Sequence, residues 1–296
     1  MTSGYLPLPI GTHNPLARPS DATPSVAVFA TELLRVGMVN IAPTHPLFHS
    51  GPTPGDMIVF PQTAFRLARQ GDRTRTVDTS VAVTYFDQQE FRRDAATDAG
   101  SKGMWIAIAP ILRRELCVRA GLEAFPATAL TLTPSAFAAT RRLLRDALTA
   151  DVDTLAIEER AVLLLHTLFS TIATPGTPSR HERDARLDLV DRTRLVLSRE
   201  ICRNRSIGEI AALVGASPGH LCRAFRSITG TSILAYRRNL RLRTAMRWLD
   251  DTSLDLSHIA MELGFTSHAH FTMWFRRTWG ITPSQYRSDS SSHNRR

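Results

Sequence analysis

The stretch Ser267–Arg277, SHAHFTMWFRR, contains residues that could bind a metal ion or a polyanion. His268 and His270 are both possible ligands and are two residues apart. Helical side chains two positions apart point to nearly opposite faces, so these two imidazoles cannot share one ion. The stretch is therefore not predicted to be a metal site, and its double arginine, Arg276–Arg277, favours an anionic partner.

Elsewhere, metal and redox chemistry is weakly supported. His45 and His49 in THPLFH lie in a proline-containing loop. They are not a closely spaced histidine pair followed by a glutamate, which could together hold a metal ion. Cys117, Cys202 and Cys222 are odd in number and form no CxxC motif. We predict reduced thiols, no metal, no cofactor and no enzymatic activity.

The composition is that of a folded chain. It has 296 residues, of which 43% are hydrophobic, enough for two or three domains. No apolar run approaches the roughly 18 residues that span a bilayer, and no signal peptide is evident at the start. We expect a cytoplasmic protein without a membrane partner.

The positive charge is unevenly distributed. The net charge is +9, and residues 184–296 hold 18 arginines against 10 acidic residues. Residues 1–183 are nearly neutral. A basic excess confined to one segment indicates a polyanionic partner, nucleic acid above all.

Residues 174–183, TPGTPSRHER, have the Pro, Gly, Ser and Thr content of a linker. They predict a domain boundary, with one domain at 1–173 and a second at 184–296. Short β-type runs before the linker predict a small sandwich or barrel. The predicted strands are Val26–Ala30, Val36–Ile41, Met57–Phe60, Val81–Phe86 and Met104–Ile108.

Two helices are predicted before the linker. One starts after Thr133–Pro134, and one starts at Asp153 or Thr154. The second carries more apolar residues than one narrow face needs. Either the pair packs as a hairpin or the helix also forms a dimer contact, and the pattern leaves both open.

The second domain repeats itself with a period of about fifty residues. The segment from Ile210 to Arg238 aligns with the segment from Ile259 to Arg287, with one residue inserted after the shared glycine. Each copy has a short apolar helix, a glycine turn, and a serine that caps a second helix with a polar outer face. This is a helix-turn-helix, whose second helix fits the major groove of DNA.

Between the copies, Ser232–Asp250 predicts a longer helix that joins the two units. Its apolar stripe includes Leu242 and Leu249, and its remaining surface is predicted to carry five arginines, Arg237, Arg238, Arg241, Arg243 and Arg247. Two units on one rigid helix could enter successive major grooves, roughly 34 Å apart. The fold class predicted for the chain is α+β, with an all-α second domain.

Residues 184–287 resemble the DNA-binding domain of the AraC/XylS transcriptional regulators. The resemblance rests on Ile210–Ala211, Gly215, Ser217, His220–Leu221 and Arg223 in the first copy, and on the matching Gly264–Phe265 and GITPSQYR in the second. PGDMIVFPQTAFRL and the helix pair resemble, more weakly, the cupin-like sensing domain of that family. The resemblance implies a transcription regulator, usually an activator, that binds double-stranded DNA, a small-molecule effector and RNA polymerase, often as a homodimer near the nucleoid.

The resemblance also assigns roles to individual residues. Base-edge contacts are implied for Gly219, Cys222 and Arg223 in the first unit, and for His268, Ala269, Thr272 and Met273 in the second. Backbone contacts are predicted for Ser217, Arg226, Ser267, Arg276 and Arg277. The aromatic residues at helical spacing are predicted to be core, with Trp274 as a possible exception. Two alternatives remain, a metal-dependent cupin-type enzyme and an architectural DNA binder without ligand.

Overall fold

The computed structural model describes residues 5–6, 9–48, 51–69, 72–126, 128–150, 152–172 and 180–293. The chain divides into two compact units, Met1–Ala173 and Thr174–Ser291. The predicted linker lies outside the described residues up to position 179. Its last four positions are already helical, so the linker predicted to extend to residue 183 ends earlier.

The first unit contains strands in two sheets. In chain order the strands are β1 Tyr5–Leu6, β2 Thr12–His13, β3 Ser25–Ala30, β4 Leu34–Ile41, β5 Met57–Pro61, β6 Phe65–Arg69, β7 Arg75–Val77, β8 Val81–Tyr85, β9 Phe91–Ala95, β10 Ser101–Ile108 and β11 Ala129–Thr131. The larger sheet has the order β1-β3-β4-β10-β5-β8-β11, with β2 paired to β3, and the smaller has the order β7-β6-β9. Apart from the β1–β3 pair, the pairings are antiparallel.

Apolar side chains join the two sheets. Phe65, Leu67 and Val77 of the smaller sheet cluster with Val83 and Tyr85 of the larger one. The predicted strands are confirmed to within three residues at each end. Six strands were missed. Strands β6, β7 and β9 carry arginines or aspartates, and β1, β2 and β11 are only two or three residues long.

The helices of this unit are α1 Pro110–Arg119, α2 Pro134–Ala147 and α3 Thr154–Phe169. Helices α2 and α3 confirm the predicted pair: the side chain of Thr133 accepts a hydrogen bond from the backbone N–H of Ala136, and that of Asp153 from Leu155. Helix α1 was not predicted. Its charged residues outnumber its buried ones, so it carries little apolar periodicity.

The second unit is entirely helical where it is described. Its helices are α4 Arg180–Arg199, α5 Ile207–Leu213, α6 Pro218–Thr229, α7 Ile233–Asp251, α8 Leu256–Glu262, α9 His268–Trp279 and α10 Pro283–His293. The α+β prediction is thereby confirmed. No helix in the described part of the chain has the length and hydropathy to cross a membrane.

Each copy of the repeat has a core of its own. In the first, Leu221 and Phe225 of α6 pack with Ile210 of α5, Tyr236 of α7 and Val190 of α4. In the second, Phe271 and Phe275 of α9 are fully buried. Phe271 contacts Phe265, and Phe275 contacts Tyr286, at ring-centroid distances of 5.2 and 5.9 Å. These aromatic residues belong to the core, as predicted.

The two glycine turns have the same geometry. Gly215 and Gly264 have φ of 66° and 71°, the left-handed region that favours glycine. In both, the glycine N–H bonds a carbonyl three residues back, and the next residue bonds one five residues back. This is a Schellman motif, which ends α5 and α8 and redirects the chain into α6 and α9, the second helix of each helix-turn-helix and called its recognition helix.

Arg241, in the middle of α7, lies between the two helix-turn-helix copies and is only 6% exposed. Its guanidinium donates to the carbonyl oxygens of Ile201 at 2.7 Å, Arg203 at 3.0 Å and Gly264 at 2.9 Å, and to Asn204 Oδ1 at 2.9 Å. Asn204 also donates to the Gly264 carbonyl, at 3.2 Å. One side chain therefore ties the loop before α5 to the turn after α8.

Arg241 and Arg243 were predicted to lie outside the apolar stripe of the connecting helix, and both are buried. Arg243 is 4% exposed. A helix at the centre of a domain is covered on several sides, and its arginines can be buried when acceptors surround them. Burial lowers the pKa of the Arg241 guanidinium to about 10, which leaves it charged at neutral pH.

Gly264→Ala should destabilise the second unit more than Gly215→Ala. Both changes place a side chain in the left-handed region, at a cost of about 1–2 kcal/mol. A Cβ at 264 would also overlap the Cys202 carbonyl oxygen and lie 2.9 Å from Arg241 Nη2, whereas one at 215 would meet nothing within 4 Å. We expect roughly 1–3 kcal/mol of additional loss for Gly264→Ala.

Calorimetric unfolding of the two variants measures this difference. Gly215→Ala is the matched control, since it has the same backbone strain without the crowding. Equal shifts of the helical unit's transition would show that Arg241 and the Cys202 carbonyl do not constrain the turn.

Candidate nucleic-acid interface

Helix α6 presents one continuous polar face. Gly219, Cys222, Arg223 and Arg226 are exposed, while Leu221, Ala224 and Phe225 are buried. This division follows from the helical period: residues three and four apart share a face. The structure therefore places the predicted contact residues of the first helix-turn-helix copy together on one surface.

Gly219 and Arg223 are one turn apart on that surface. A Cβ built on Gly219 would lie 3.4 Å from Arg223 Nη1 and would meet nothing else within 4 Å. The guanidinium thus lies over the first turn of α6, in the direction that helical side chains take. The absence of a side chain at 219 leaves the guanidinium reachable from outside.

Each recognition helix starts at a capping serine. Ser217 Oγ accepts from the His220 N–H at 3.3 Å, and Ser267 Oγ accepts from the His270 N–H at 3.1 Å. Both serines are exposed. A capping hydroxyl uses a lone pair and keeps its own hydrogen, so it can still donate to a phosphate oxygen.

Helix α9 borders an open groove of about 740 Å³ in the second unit. The groove is lined by His268, Ala269, Thr272, Met273, Arg276, Arg277, Gly280 and Thr282. It gathers six of the seven predicted contact residues of the second helix-turn-helix copy, the seventh being the cap Ser267. Gly280 and Thr282 were missed, although the GITP segment of the motif contains them.

The side chains in this groove differ from those on α6. Thr272 Oγ1 and His268 Nε2, from residues one helical turn apart, are 3.3 Å from each other and form a polar contact. Met273, at the position that matches Arg223, is 51% exposed and has a thioether in place of a guanidinium. The second helix-turn-helix copy therefore presents an apolar side chain where the first copy presents five N–H donors.

His270 and Trp274 form a structural pair beside the groove. Trp274 Nε1 donates to His270 Nε2 at 2.9 Å, and His270 Nδ1 lies 3.0 Å from Thr266 Oγ1. The imidazole ring is also edge-on to Phe265. Trp274 is half-buried, which fits its predicted departure from the core pattern.

Metal ligation has little support in the described ranges, where no group of three or more His, Cys, Asp and Glu side chains is arranged to hold an ion. His268 and His270 bond to different threonines. His45 is described, whereas His49 lies outside the described residues. Cys117, Cys202 and Cys222 are free thiols, the first buried and the other two exposed.

Part of this chain is similar to known proteins. A family model described as a helix-turn-helix domain matches residues 210–289. The HTH-type transcriptional regulator GlxA of Rhizobium meliloti (strain 1021) is 34% identical over 133 residues, which are 42% of this chain and 40% of that regulator. The probable transcription factor PqrA of Proteus vulgaris is 32% identical over 97 residues, which are 32% of this chain and 80% of that protein.

Among solved structures, a transcriptional regulator with an AraC-type DNA-binding domain, from Chromobacterium violaceum, is 30% identical. The match covers 36% of this chain and 96% of that one, with a TM-score of 0.34. The chain spans less than half the length of GlxA. Because PqrA is 32% identical and is matched over 80% of its own length, this chain belongs to the AraC/XylS family.

Proposed function

We propose that this protein is a sequence-specific transcription regulator whose helices α6 and α9 read two successive major grooves of one DNA site. The observation that carries the proposal is the pair of recognition helices, each capped by a serine and exposing its predicted contacts, tied together through Arg241 of α7. A connection of this kind limits the spacings at which both helices can bind.

The charge of the second unit supports a polyanionic partner. Its net charge is +8 over residues 184–296, and Arg223, Arg226, Arg276 and Arg277 are exposed beside the recognition helices. Phosphate contacts of this type supply sequence-independent affinity, and contacts to base edges add the discrimination.

Selection from a random pool of duplex DNA by the purified full chain tests the proposal. We expect a bipartite site whose halves are about 10 base pairs apart, since one helical turn separates successive major grooves. A pool without an enriched sequence would remove the sequence-specific function.

The first unit supplies the regulatory input in this proposal. It makes up more than half of the chain and has a two-sheet core of its own, which an architectural DNA binder would not need. We propose that it binds a small-molecule effector, that it acts by binding rather than by catalysis, and that the regulator activates transcription through RNA polymerase in the cytoplasm.

Homodimerisation is part of the same proposal. Leu155 and Leu163 of α3 are largely exposed although the helix already packs on α2, which leaves apolar surface available to a second copy. Leu163 also lines a groove of about 400 Å³ between α2 and α3. A paired regulator would bind two copies of its site, which raises the effective affinity for DNA.

Arg223→Ala should reduce affinity for the selected site by about 1–3 kcal/mol and relax the preference at one or two base pairs, because arginine pairs bidentately with guanine. Binding to a panel of single-base variants measures this change. Arg226→Ala, on the same helix, is the matched control and should weaken binding to every sequence alike. An unchanged preference after Arg223→Ala would exclude the base contact.

The two half-sites should differ in information content. Met273 cannot donate to guanine, but it can pack on a thymine methyl, so replacing a contacted thymine with uracil should cost about 0.8 kcal/mol, roughly fourfold in affinity. Met273→Arg should create a guanine preference in the second half-site. Equal information content in the two half-sites of the wild-type protein would show that the reader is symmetric.

Ser267→Asp should separate the capping role of the serine from its contact with DNA. Aspartate is an effective cap, so stability should be kept, whereas its charge next to a phosphate should weaken binding. Ser267→Ala should cost about 1 kcal/mol of stability through loss of the cap. Thermal unfolding and DNA titration measure the two effects. Thr133→Asp, at the cap of α2 in the first unit, is the control that should leave DNA affinity unchanged.

A further inference from the structure

Arg238 of α7 stacks on the indole ring of Trp274 in α9. Its guanidinium carbon lies 3.5 Å from the ring centroid, the distance of face-to-face contact. The guanidinium carbon of Arg277, one turn after Met273 in α9, is 5.1 Å from the same centroid. Two arginines from different helices therefore meet on one tryptophan.

This arginine pair has no acidic partner among the residues described. The ion pairs of the described residues include neither Arg238 nor Arg277. Arg238 Nε is enclosed by protein without a hydrogen-bond acceptor. The pKa of Arg238 is lowered by burial and further by the charge of Arg277. Two like charges held close together without a carboxylate are electrostatically unfavourable, and an anion would relieve the repulsion.

The pair is next to the DNA-facing groove. Arg277 lines that groove together with Met273 and Arg276. The first helix-turn-helix copy has no equivalent, since the residues that match Trp274 and Arg277 are Ala224 and Ser227. The second copy thus lacks a guanidinium at the position of Arg223 but has a stacked pair at the edge of its groove.

We propose that Arg238 and Arg277, held against Trp274, bind a backbone phosphate of DNA beside the second recognition helix. The proposal rests on the proposed DNA-binding function and adds a contact from the connecting helix. Stacking occupies the face of a guanidinium and leaves its edge free to donate to phosphate oxygens. It also restricts the side-chain rotamers before binding, which reduces the entropy lost on contact.

The salt dependence of DNA binding tests this site. The full chain is titrated with its selected duplex over a range of potassium chloride concentrations. Arg238→Ala should reduce the slope of log K against log salt by about 0.9, the value for one phosphate, and leave the selected sequence unchanged. Trp274→Leu should reduce the slope in the same direction, because both arginines lose their support.

Arg237→Ala is the matched control. It removes the same charge from the neighbouring position of α7, but the Arg237 guanidinium donates to the Arg205 carbonyl at 2.7 Å, so its loss should leave the slope unchanged. A slope that is unchanged in Arg238→Ala, or that falls equally in Arg237→Ala, overturns the proposal. Circular dichroism and thermal unfolding verify that each variant is folded.

Duplexes with a single methylphosphonate, which lacks the phosphate charge, locate the contact. Wild-type protein should lose affinity at one or two positions flanking the second half-site, and Arg238→Ala should be insensitive at the same positions. Equal sensitivity of the two proteins at every position counts against the site. If the wild-type protein binds no DNA at all, the proposed function itself fails, and the two failures are thereby distinguished.

Discussion

The buried guanidinium of Arg241 is the interaction on which the arrangement of the second unit depends. Its hydrogen bonds reach two carbonyls and an amide oxygen in the loop before α5, and the carbonyl of Gly264 in the turn before α9. Gly264 must lack a side chain for this approach as well as for its backbone conformation. The position of α9 relative to α6 is therefore set by polar contacts with fixed directions, in addition to apolar packing on α7.

A duplicated unit allows its two copies to diverge without losing the fold. Buried positions have stayed apolar and large, as Phe225 and Phe275 show, because a change of core volume is destabilising. Exposed positions are free of this constraint. Arg223 has Met273 as its counterpart, and Ser227 has Arg277. The same scaffold thus carries a donor-rich reading surface in one copy and an apolar surface flanked by arginines in the other.

The features that could be predicted from the sequence are local ones. Serine caps, glycine turns and the apolar stripe of a helix are encoded within a few residues, so Ser217, Gly215 and Phe225 were assigned correctly. Arg241 and the Arg238–Trp274 stack were missed, because their partners are more than twenty residues away and an arginine on a helix is usually solvated. The strands β6, β7 and β9 were missed because charged residues interrupt their apolar pattern.

Two arginines of α7 are held in place by uncharged partners of different kinds. Arg241 is satisfied by neutral oxygens, which hold its geometry but do not cancel its charge. Arg238 is held by an aromatic face, which also leaves its charge uncancelled. Neutral partners therefore hold both side chains in place, and the positive charges of the two arginines remain uncancelled in the helical unit. Carboxylate partners would have fixed them equally well but would have removed the field that attracts a polyanion.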